Sequence, residues 1–244
     1  MKKIYEDFHR ESHLQKRLIN KRNFTYRNLL SLIDKYLYKS ENILDVGCGV
    51  GTIDFFIANK KKKVTGIDIS NRAISQCLKS AKFLNLLNYT NFLKGDFSII
   101  KIHKKFDMVI CLEVLEHIKG DSMVIKKIYE LLIKDGILIL SVPSKNALLY
   151  KIGLAAKFDR KVGHLRRYSV EDITSLITKE GFALKEVIKT EGLFRNILFL
   201  NRTVGLIVKV LNRVSLLSNV VTFLDNLSIP FFGESNIIIV AQKK

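Results

Sequence analysis

Several features that define other classes of protein are scarce or missing in this chain. The three cysteines, Cys48, Cys77 and Cys111, have the spacing of neither a metal site nor a disulfide framework, which suits a reducing compartment. No uncharged run approaches the roughly 20 residues that a membrane-spanning helix needs. Residues 1–7 carry charges where a signal peptide needs an apolar core. We therefore expect a cytoplasmic protein rather than an exported one.

Acidic residues are also in short supply. The chain has 23 Asp and Glu against 41 Lys and Arg, which gives a formal net charge of +18. A charge of this size indicates a nucleic-acid partner or an anionic membrane surface, although a general richness in lysine would produce it without any function. The basic run 60–63 lacks the interleaved aromatic side chains of a single-strand binding surface. A membrane surface is therefore the favoured partner, and nucleic acid stays an alternative.

The most informative segment is a glycine-rich turn that follows a short apolar strand. Residues 42–51 read Asn-Ile-Leu-Asp-Val-Gly-Cys-Gly-Val-Gly, with the pattern D-x-G-x-G-x-G from position 45, and a helix is predicted from Thr52. Glycine brings bare backbone close to a ligand because no Cβ stands in the way. The dinucleotide fingerprint G-x-G-x-x-G would need a glycine at Thr52, so the spacing argues against an NAD enzyme.

Further apolar segments alternate with predicted helices, as in a doubly wound α/β sheet. The strand after the first helix ends in Asp68, roughly 20 residues beyond the glycine turn, where an acid accepts the hydroxyls of a ribose. A later helix is predicted to begin at Ser169, because Asp172 completes a near capping box. The remaining predicted strands lie within 91–97, 106–118, 131–143, 182–190 and 236–242.

Five segments resemble, in their order and spacing, the Rossmann-like S-adenosylmethionine (SAM)-dependent methyltransferases. They are the glycine-rich segment 42–51, the strand that ends in Asp68, and the segments 91–97, 106–118 and 131–143. The resemblance implies an α/β fold with a seven-stranded, mostly parallel sheet, helices on both faces and an antiparallel final strand. It also implies SAM as the cofactor. The residues that would bind it are Asp45, Gly47, Cys48, Gly49 and Gly51 at the methionine end, Asp68 and Ile69 at the ribose, Asp96 and Phe97 at the adenine, and Cys111 and Leu112 on the wall above it.

The second half of the chain resembles a narrower group. Residues 163–173 (GHLRRYSVEDI) and 179–182 (KEGF) are similar to the type 11/12 methyltransferases, which include the ubiquinone-biosynthesis O-methyltransferases and uncharacterised bacterial enzymes linked to glycans and lipids. Arg27 matches the place of an arginine near the cofactor in the ubiquinone enzymes. The resemblance implies O-methylation of a small or lipid-linked acceptor, quinol-like or glycan-like. An RNA methyltransferase and a non-catalytic SAM-binding or scaffold protein stay alternatives.

Two histidines are the candidate catalytic bases. His117 follows the fourth strand, and His164 lies in the loop after the fifth. Both are expected beyond the carboxyl ends of the strands, where ligands bind in open α/β sheets, and either could take the proton of a hydroxyl acceptor. The alternative is structural, with His164 anchoring its loop together with Arg166 and Arg167.

A candidate metal site overlaps these histidines. The sequence Glu113-x-x-Glu116-His117 resembles a divalent-metal motif of the ubiquinone enzymes and of small-RNA 3′-end methyltransferases, with His164 as a fourth ligand. Carboxylates and imidazoles together suit Mg²⁺ or Zn²⁺. The same letters occur in relatives without a metal, where Glu116 only caps or pairs.

The chain divides into three predicted parts. Residues 1–41 form a basic helical segment, residues 42–190 with 236–244 form the SAM-binding domain, and residues 191–235 are a helical insertion between the last two strands. Within the insertion, basic residues spaced by seven, seven and four would share one stripe of a helix: Arg195, Arg202, Lys209 and Arg213. A wide apolar face with a narrow basic stripe favours a helix in a membrane interface. The alternative is a substrate lid whose basic residues face water.

Overall fold

One seven-stranded sheet organises the molecule. The structure, a computed structural model, describes residue 6 and residues 13–200, 207–208, 211–212 and 215–244. The strands are β1 (Asn42–Val46), β2 (Lys63–Asp68), β3 (Thr90–Lys94), β4 (Phe106–Leu112), β5 (Leu132–Pro143), β6 (Phe182–Thr190) and β7 (Asn236–Lys243). They lie in the order β3-β2-β1-β4-β5-β7-β6, and β7 runs antiparallel to the other six strands. The predicted fold class is confirmed.

Helices connect the strands and cover the sheet. Those of the described residues are α1 (Arg27–Leu37), α2 (Thr52–Ala58), α3 (Asn71–Phe83), α4 (Asp121–Leu131), α5 (Leu148–Lys151), α6 (Ala156–Val162), α7 (Val170–Lys179), α8 (Leu193–Leu200) and α9 (Ser215–Phe232). Short 3₁₀ turns follow at Leu87–Tyr89 and Leu115–His117. Of the N-terminal segment predicted to be helical, residues 27–37 are helical, whereas residues 13–26 run through bends and turns.

The hydrophobic core lies on both faces of the sheet. In β1, Leu44 and Val46 pack into one layer and Ile43 into the other, and solvent reaches none of the three. In β5, Leu138 joins the first layer and Ile139 the second. Successive side chains of a strand point to opposite faces, so these nearly continuous apolar runs require helices on both sides.

The start of α7 shows how local sequence fixes an element. The Ser169 hydroxyl accepts the Asp172 N–H at 3.1 Å, and the Asp172 carboxylate accepts the Ser169 N–H at 2.9 Å. This is a capping box, in which two otherwise unpaired helix N–H groups are satisfied reciprocally. The helix ends at Lys179, before Gly181 takes the positive φ of 97° that turns the chain into β6.

The insertion is helical as predicted in its described part, but Arg195 does not lie on an exposed basic stripe. The described helices are α8 and α9, and no helix in the described part of the chain is long and apolar enough to cross a bilayer. Arg195, which was expected on an exposed basic stripe, has only 2% of its surface exposed. The other members of the stripe, Arg202, Lys209 and Arg213, lie outside the described residues. Arg195 is buried because it pairs with Asp225, a partner that the helical spacing did not reveal.

Candidate cofactor and active site

The glycine turn joins β1 to α2 at the carboxyl edge of the sheet. Gly47, Gly49 and Gly51 all have positive φ angles, of 74°, 54° and 82°. A Cβ on Gly47 would lie 2.3 Å from Val114 Cγ2, so no larger residue fits while Val114 keeps its position. Val114 immediately precedes the 3₁₀ turn after β4, and the glycine turn therefore packs directly against the segment that carries His117.

Asp68 holds the glycine turn against the end of β2. Its Oδ2 accepts the Gly49 N–H at 3.0 Å, and its Oδ1 accepts the Ser70 N–H at 2.8 Å. A carboxylate has about four lone-pair sites, so two acceptor positions remain for a ligand. Asp68 and the adjacent Ile69 are both partly exposed, which leaves this edge open to a ribose.

Two carboxyl groups are buried beneath the glycine turn. Asp45, at the end of β1, is 4% exposed, and Asp54, on α2, is 0% exposed. Burial raises the pKa of Asp54 to about 7, and burial together with the charge of Asp54 raises the pKa of Asp45. Sequence reasoning did not identify Asp54, although an acid within the apolar run 53–58 was a visible signal. Cys77 also belongs to this layer, where its thiol donates to the Gly49 carbonyl at 3.2 Å.

The expected adenine region lies after β3 and β4. The Asp96 carboxylate accepts the Ser98 N–H at 2.9 Å, which closes a local turn. The Phe97 ring is 5% exposed and packs in the core, with the Lys127 ammonium 4.8 Å from its centroid. At the end of β4, Cys111 is buried and Leu112 is partly exposed. Of these side chains, Asp96 and Leu112 present the most accessible surface at this edge.

Arg27, predicted near the cofactor, hydrogen-bonds to helix α9. Its guanidinium donates to Ser218, Thr222 and Asn219 of α9, at distances of 3.1, 3.4 and 2.6 Å. Within the described part of the chain, no hydrogen bond or ion pair links it to the glycine turn. Arg27 therefore fixes α9 to the start of α1.

Glu6 and Gln15, from the part of the chain before α1, contact residues at the cofactor edge, a feature that the sequence did not reveal. The Glu6 carboxylate accepts the Asn71 N–H at 2.7 Å, at the N-terminus of α3 and directly after the loop that follows Asp68. Farther along, the Gln15 side chain accepts the Thr52 hydroxyl at 3.1 Å, beside the glycine turn. Glu6 and Gln15 thus lie next to the loops that flank the candidate cofactor site.

A buried cluster of three side chains lies beside the glycine turn. The Nε2 atoms of His117 and His164 are 3.8 and 3.7 Å from Oε1 of Glu116, and the two imidazole rings meet edge to face at 4.9 Å. One potential ligand atom from each residue lies within 4.8 Å of the other two. Glu116 has no exposed surface, and neither carboxylate oxygen has a hydrogen-bond partner among the described residues. The chain thus gathers a histidine pair and a buried carboxyl group at one point.

Hydrogen bonds orient both imidazole rings. His117 Nδ1 lies 3.1 Å from the Gly163 carbonyl, and His164 Nδ1 lies 3.0 Å from Oδ1 of Asp159. Both partners are acceptors, so each Nδ1 donates its proton, and the Nε2 atom of each ring faces Glu116. Burial would raise the pKa of Asp159, but hydrogen bonds from His164 and Arg167 outweigh it and give a pKa of about 2.

Protonation of the cluster follows from its burial. Burial raises the pKa of Glu116 well above its ordinary value, and the charge of Glu113 raises it further. Burial also lowers the pKa of His117, with a smaller contribution from His164. Near neutral pH the cluster therefore favours a neutral His117, whose Nε2 can accept a proton or bind a metal ion.

Glu113 does not join this cluster. Its carboxylate accepts the Ser141 hydroxyl at 2.7 Å and the Asn236 amide at 2.6 Å. Glu113 therefore ties the end of β4 to β5 and β7, and the metal-motif resemblance extends to three of the four residues. The alternative role of His164 as a loop anchor has a structural basis, since His164 and Arg167 both bind Asp159.

The buried Glu116 predicts a specific pH dependence of stability. Its pKa is higher in the folded protein than the ordinary 4.5, so the unfolded chain releases this proton first as pH rises. The contribution of Glu116 to the unfolding free energy therefore falls progressively above about pH 4.5. We expect Glu116→Gln to be more stable than the wild type in metal-free buffer, by a margin that grows from pH 5 to pH 8 in urea titrations. A margin that stayed constant with pH would contradict the raised pKa.

Comparison with known proteins gives a consistent result. A family model described as a methyltransferase domain matches residues 37–192, more than half of the chain. The (S)-coclaurine N-methyltransferase of Papaver somniferum is 30% identical over 128 residues, covering 50% of this chain and 36% of that protein. The ubiquinone biosynthesis O-methyltransferase of Glaesserella parasuis is 32% identical over 118 residues, covering 46% of this chain and 49% of that protein. The match thus spans about half the length of these relatives or less.

The fold has counterparts among solved structures. Magnesium protoporphyrin IX methyltransferase from Synechocystis PCC 6803, solved with bound S-adenosylhomocysteine (SAH), superposes with a TM-score of 0.65. The alignment covers 100% of both chains at 19% sequence identity. At that identity the similarity shows a common fold and leaves the acceptor open.

Proposed function

This chain belongs to the methyltransferase-domain family, and from that premise we propose that it transfers the methyl group of SAM to an oxygen of a small or lipid-linked acceptor. The observation that carries the proposal is the contact between the two halves of the site. Gly47, in the glycine turn, packs against Val114, which leads directly to His117. A cofactor on the glycine turn would therefore lie next to the histidine cluster.

The cofactor half of the site fits SAM. The three glycines leave room for the methionine end, and Asp68 retains acceptor positions for the ribose hydroxyls. Ile69 is accessible beside Asp68, and Asp96 and Leu112 are accessible where the adenine would lie. SAM supplies an activated methyl group, so these residues mainly have to align the acceptor, the methyl group and the sulfur.

The histidine cluster supports oxygen as the methyl acceptor. A hydroxyl acceptor has to lose its proton, and the Nε2 lone pair of His117 is held in place by the Nδ1 bond to Gly163. The lowered pKa of His117 keeps the ring neutral near pH 7, so it can take that proton. The relatives include both N- and O-methyltransferases, and the cluster is our reason for favouring oxygen.

The residues also fit a divalent cation. Glu116, His117 and His164 offer three ligand atoms around a carboxylate whose oxygens lack other partners in the described part of the chain, and Asp159 orients His164 from behind. A bound Mg²⁺ or Zn²⁺ would lower the pKa of an acceptor hydroxyl. A cation bound to the His117 Nε2 atom would make His117 a ligand instead of the base, and in that case EDTA is expected to abolish turnover and added metal to restore it, measured by methyl transfer. Turnover unchanged by EDTA would exclude the metal and leave His117 as the base.

A methyl-transfer assay tests the proposed function. Purified protein would be incubated with SAM labelled in the methyl group and, in parallel, with a quinol, a polyprenyl-linked glycan and RNA. Label in either of the first two acceptors supports the proposal. Label only in RNA, with affinity that falls steeply as salt is added, would replace it with an RNA methyltransferase. SAM binding without transfer to any acceptor would favour the non-catalytic SAM-binding role.

A further inference from the structure

Helix α9 buries polar side chains and exposes apolar ones, the reverse of an ordinary surface helix. Its inward positions are polar, with Ser218 and Asp225 at 0% exposure and Ser228 at 6%. Its outward positions are apolar, and Phe223 and Phe231 are 67% and 78% exposed. In all, eight of the eighteen residues of α9 are large apolar side chains exposed to solvent. A surface helix of a water-soluble domain normally has the opposite arrangement.

Hydrogen bonds fix this orientation. Asp225 accepts the backbone N–H groups of Gly192 and Arg195, at 3.0 and 2.9 Å, and forms an ion pair with the Arg195 side chain at 3.5 Å. Ser228 accepts the Leu193 N–H at 3.0 Å, and Ser218 accepts a bond from Arg27. Rotating α9 to bury its apolar face would break all of these bonds and expose a matched set of polar groups. The apolar surface is therefore a stable feature of the fold.

Neighbouring segments also expose large apolar side chains. In α8, Phe194 and Ile197 are 45% and 47% exposed. The C-terminal end of α9 abuts the loop before α5, since a Cβ on Gly233 would lie 2.1 Å from the Asn146 carbonyl oxygen. The turn between α5 and α6 exposes Ile152 and Leu154. An apolar surface of this extent on a soluble protein marks an interaction site.

The charges around this surface indicate which kind of partner binds it. Between residues 192 and 233 the sequence has one acid, Asp225, which is buried and paired with Arg195. The neighbouring helix α6 exposes three basic side chains, Lys157, Arg160 and Lys161. A second copy of the chain would bring like charges together, whereas anionic headgroups would complement them. Apolar side chains flanked by basic ones are the composition of a helix that lies in a membrane interface.

We propose that the outward face of α9, together with α8 and the α5–α6 turn, docks on the surface of an anionic lipid bilayer. The insertion leaves the sheet after β6 and returns at β7. Since β5 and β6 both run antiparallel to β7, the insertion begins at the same edge as the glycine turn. The docking face therefore lies on the side of the molecule where the site opens. Docking itself requires no methyl transfer and is tested without it.

Vesicle flotation tests the proposal. The full chain is expected to float with vesicles of phosphatidylcholine and phosphatidylglycerol in equal parts, and to bind pure phosphatidylcholine about tenfold more weakly. The variant Phe223→Ser/Phe231→Ser should lose flotation while keeping its thermal stability and its SAM affinity, because both rings are exposed. The matched control is Phe83→Ser/Ile99→Ser, which removes two exposed apolar side chains outside the insertion and should float like the wild type.

Two outcomes would overturn the proposal. One is a wild-type chain that stays with neither vesicle type or binds both equally. The other is a wild-type dimer in analytical ultracentrifugation that Phe223→Ser/Phe231→Ser converts to a monomer, without flotation of either protein. The second outcome would assign the face to another copy of this chain. Neither outcome bears on SAM binding, which calorimetry measures separately, so failure of docking and failure of the proposed function are distinguishable.

Discussion

Replacing Asp68 with alanine is expected to weaken SAM and SAH binding by roughly 100-fold, a loss of about 3 kcal/mol. Two effects combine. The variant would lose the carboxylate that we propose accepts the ribose hydroxyls, and it would also release the Gly49 N–H, which Asp68 holds at 3.0 Å. The glycine turn would then lose the bond that fixes its backbone next to β2. Titration calorimetry with SAM, SAH and NADH measures the effect, and NADH should bind neither protein.

The matched control for Asp68 lies at the opposite edge of the sheet. Asp107 also accepts two backbone N–H groups, those of Glu41 and Asn42, at 2.8 and 2.7 Å. We expect Asp107→Ala to lower stability while SAM affinity is kept. Equal loss of affinity in the two variants would mean that Asp68 acts only through general stability. Unchanged affinity in Asp68→Ala would remove Asp68 from the cofactor site altogether.

Replacing Asp225 with alanine is expected to lower the unfolding free energy by about 3 to 5 kcal/mol, as is usual when one partner of a buried ion pair is removed. Arg195 is 2% exposed, and its other contacts are the Phe24 carbonyl at 2.9 Å, the Thr222 hydroxyl at 3.3 Å and the face of the Phe24 ring at 4.3 Å. Without Asp225 its charge would stay buried without its ion-pair partner, and the Glu191 carboxyl would be the remaining acid close to it. Urea denaturation followed by circular dichroism measures the change.

An exposed acid provides the control for Asp225. Asp34 also sits between basic side chains, those of Lys21 and Lys60, but 26% of its side chain is exposed. Surface ion pairs contribute about 0 to 1 kcal/mol, so Asp34→Ala should have little effect. A similar small effect in Asp225→Ala would show that water reaches Arg195, and that the bonds holding α9 are weaker than the geometry indicates.

The sheet could be predicted closely because its signals are local. The glycine spacing, the apolar runs and the acid at the end of β2 lie within a few residues of one another, and β6 spans Phe182–Thr190 as predicted. The capping box at Ser169 is equally local. In such segments the period of the side chains and the turn residues decide the structure before any long-range contact forms.

The insertion could not be predicted because its determinants are distant in sequence. A basic residue repeating along a helix normally faces water, and that rule placed Arg195 on an exposed stripe. Its partner Asp225 is 30 residues away, and the Phe24 carbonyl is 171 residues away. No periodicity within α8 reveals either contact. The burial of the polar face of α9 could not be predicted either, because the residues to which it bonds are also distant in sequence.

The candidate site could be predicted in part, less fully than the sheet and more fully than the insertion. Glu116 and His117 are adjacent in sequence, and the family resemblance added His164, which the structure brings to the same point. The resemblance also placed Glu113 in the metal motif, but its carboxylate accepts hydrogen bonds from Ser141 and Asn236 instead. Contacts of Glu6 and Gln15 with the cofactor edge depend on the path of the N-terminal segment, which carries no motif.

The place of β7 in the sheet has a consequence for how the chain folds. The last strand to be synthesised lies between β5 and β6, and it pairs with β5 along Ile137–Pro143. Until residues 236–243 leave the ribosome, both of those strands present unpaired edges, which are sites of misassociation. Residues 191–235 separate β6 from β7, so the pairing of β7 with β5 and β6 has to wait until the whole insertion has been synthesised. Pairing between strands that are distant in sequence is a slow step in the folding of sheets. A nascent chain therefore carries its apolar α9 and two open strand edges together, before the strand that completes the sheet exists.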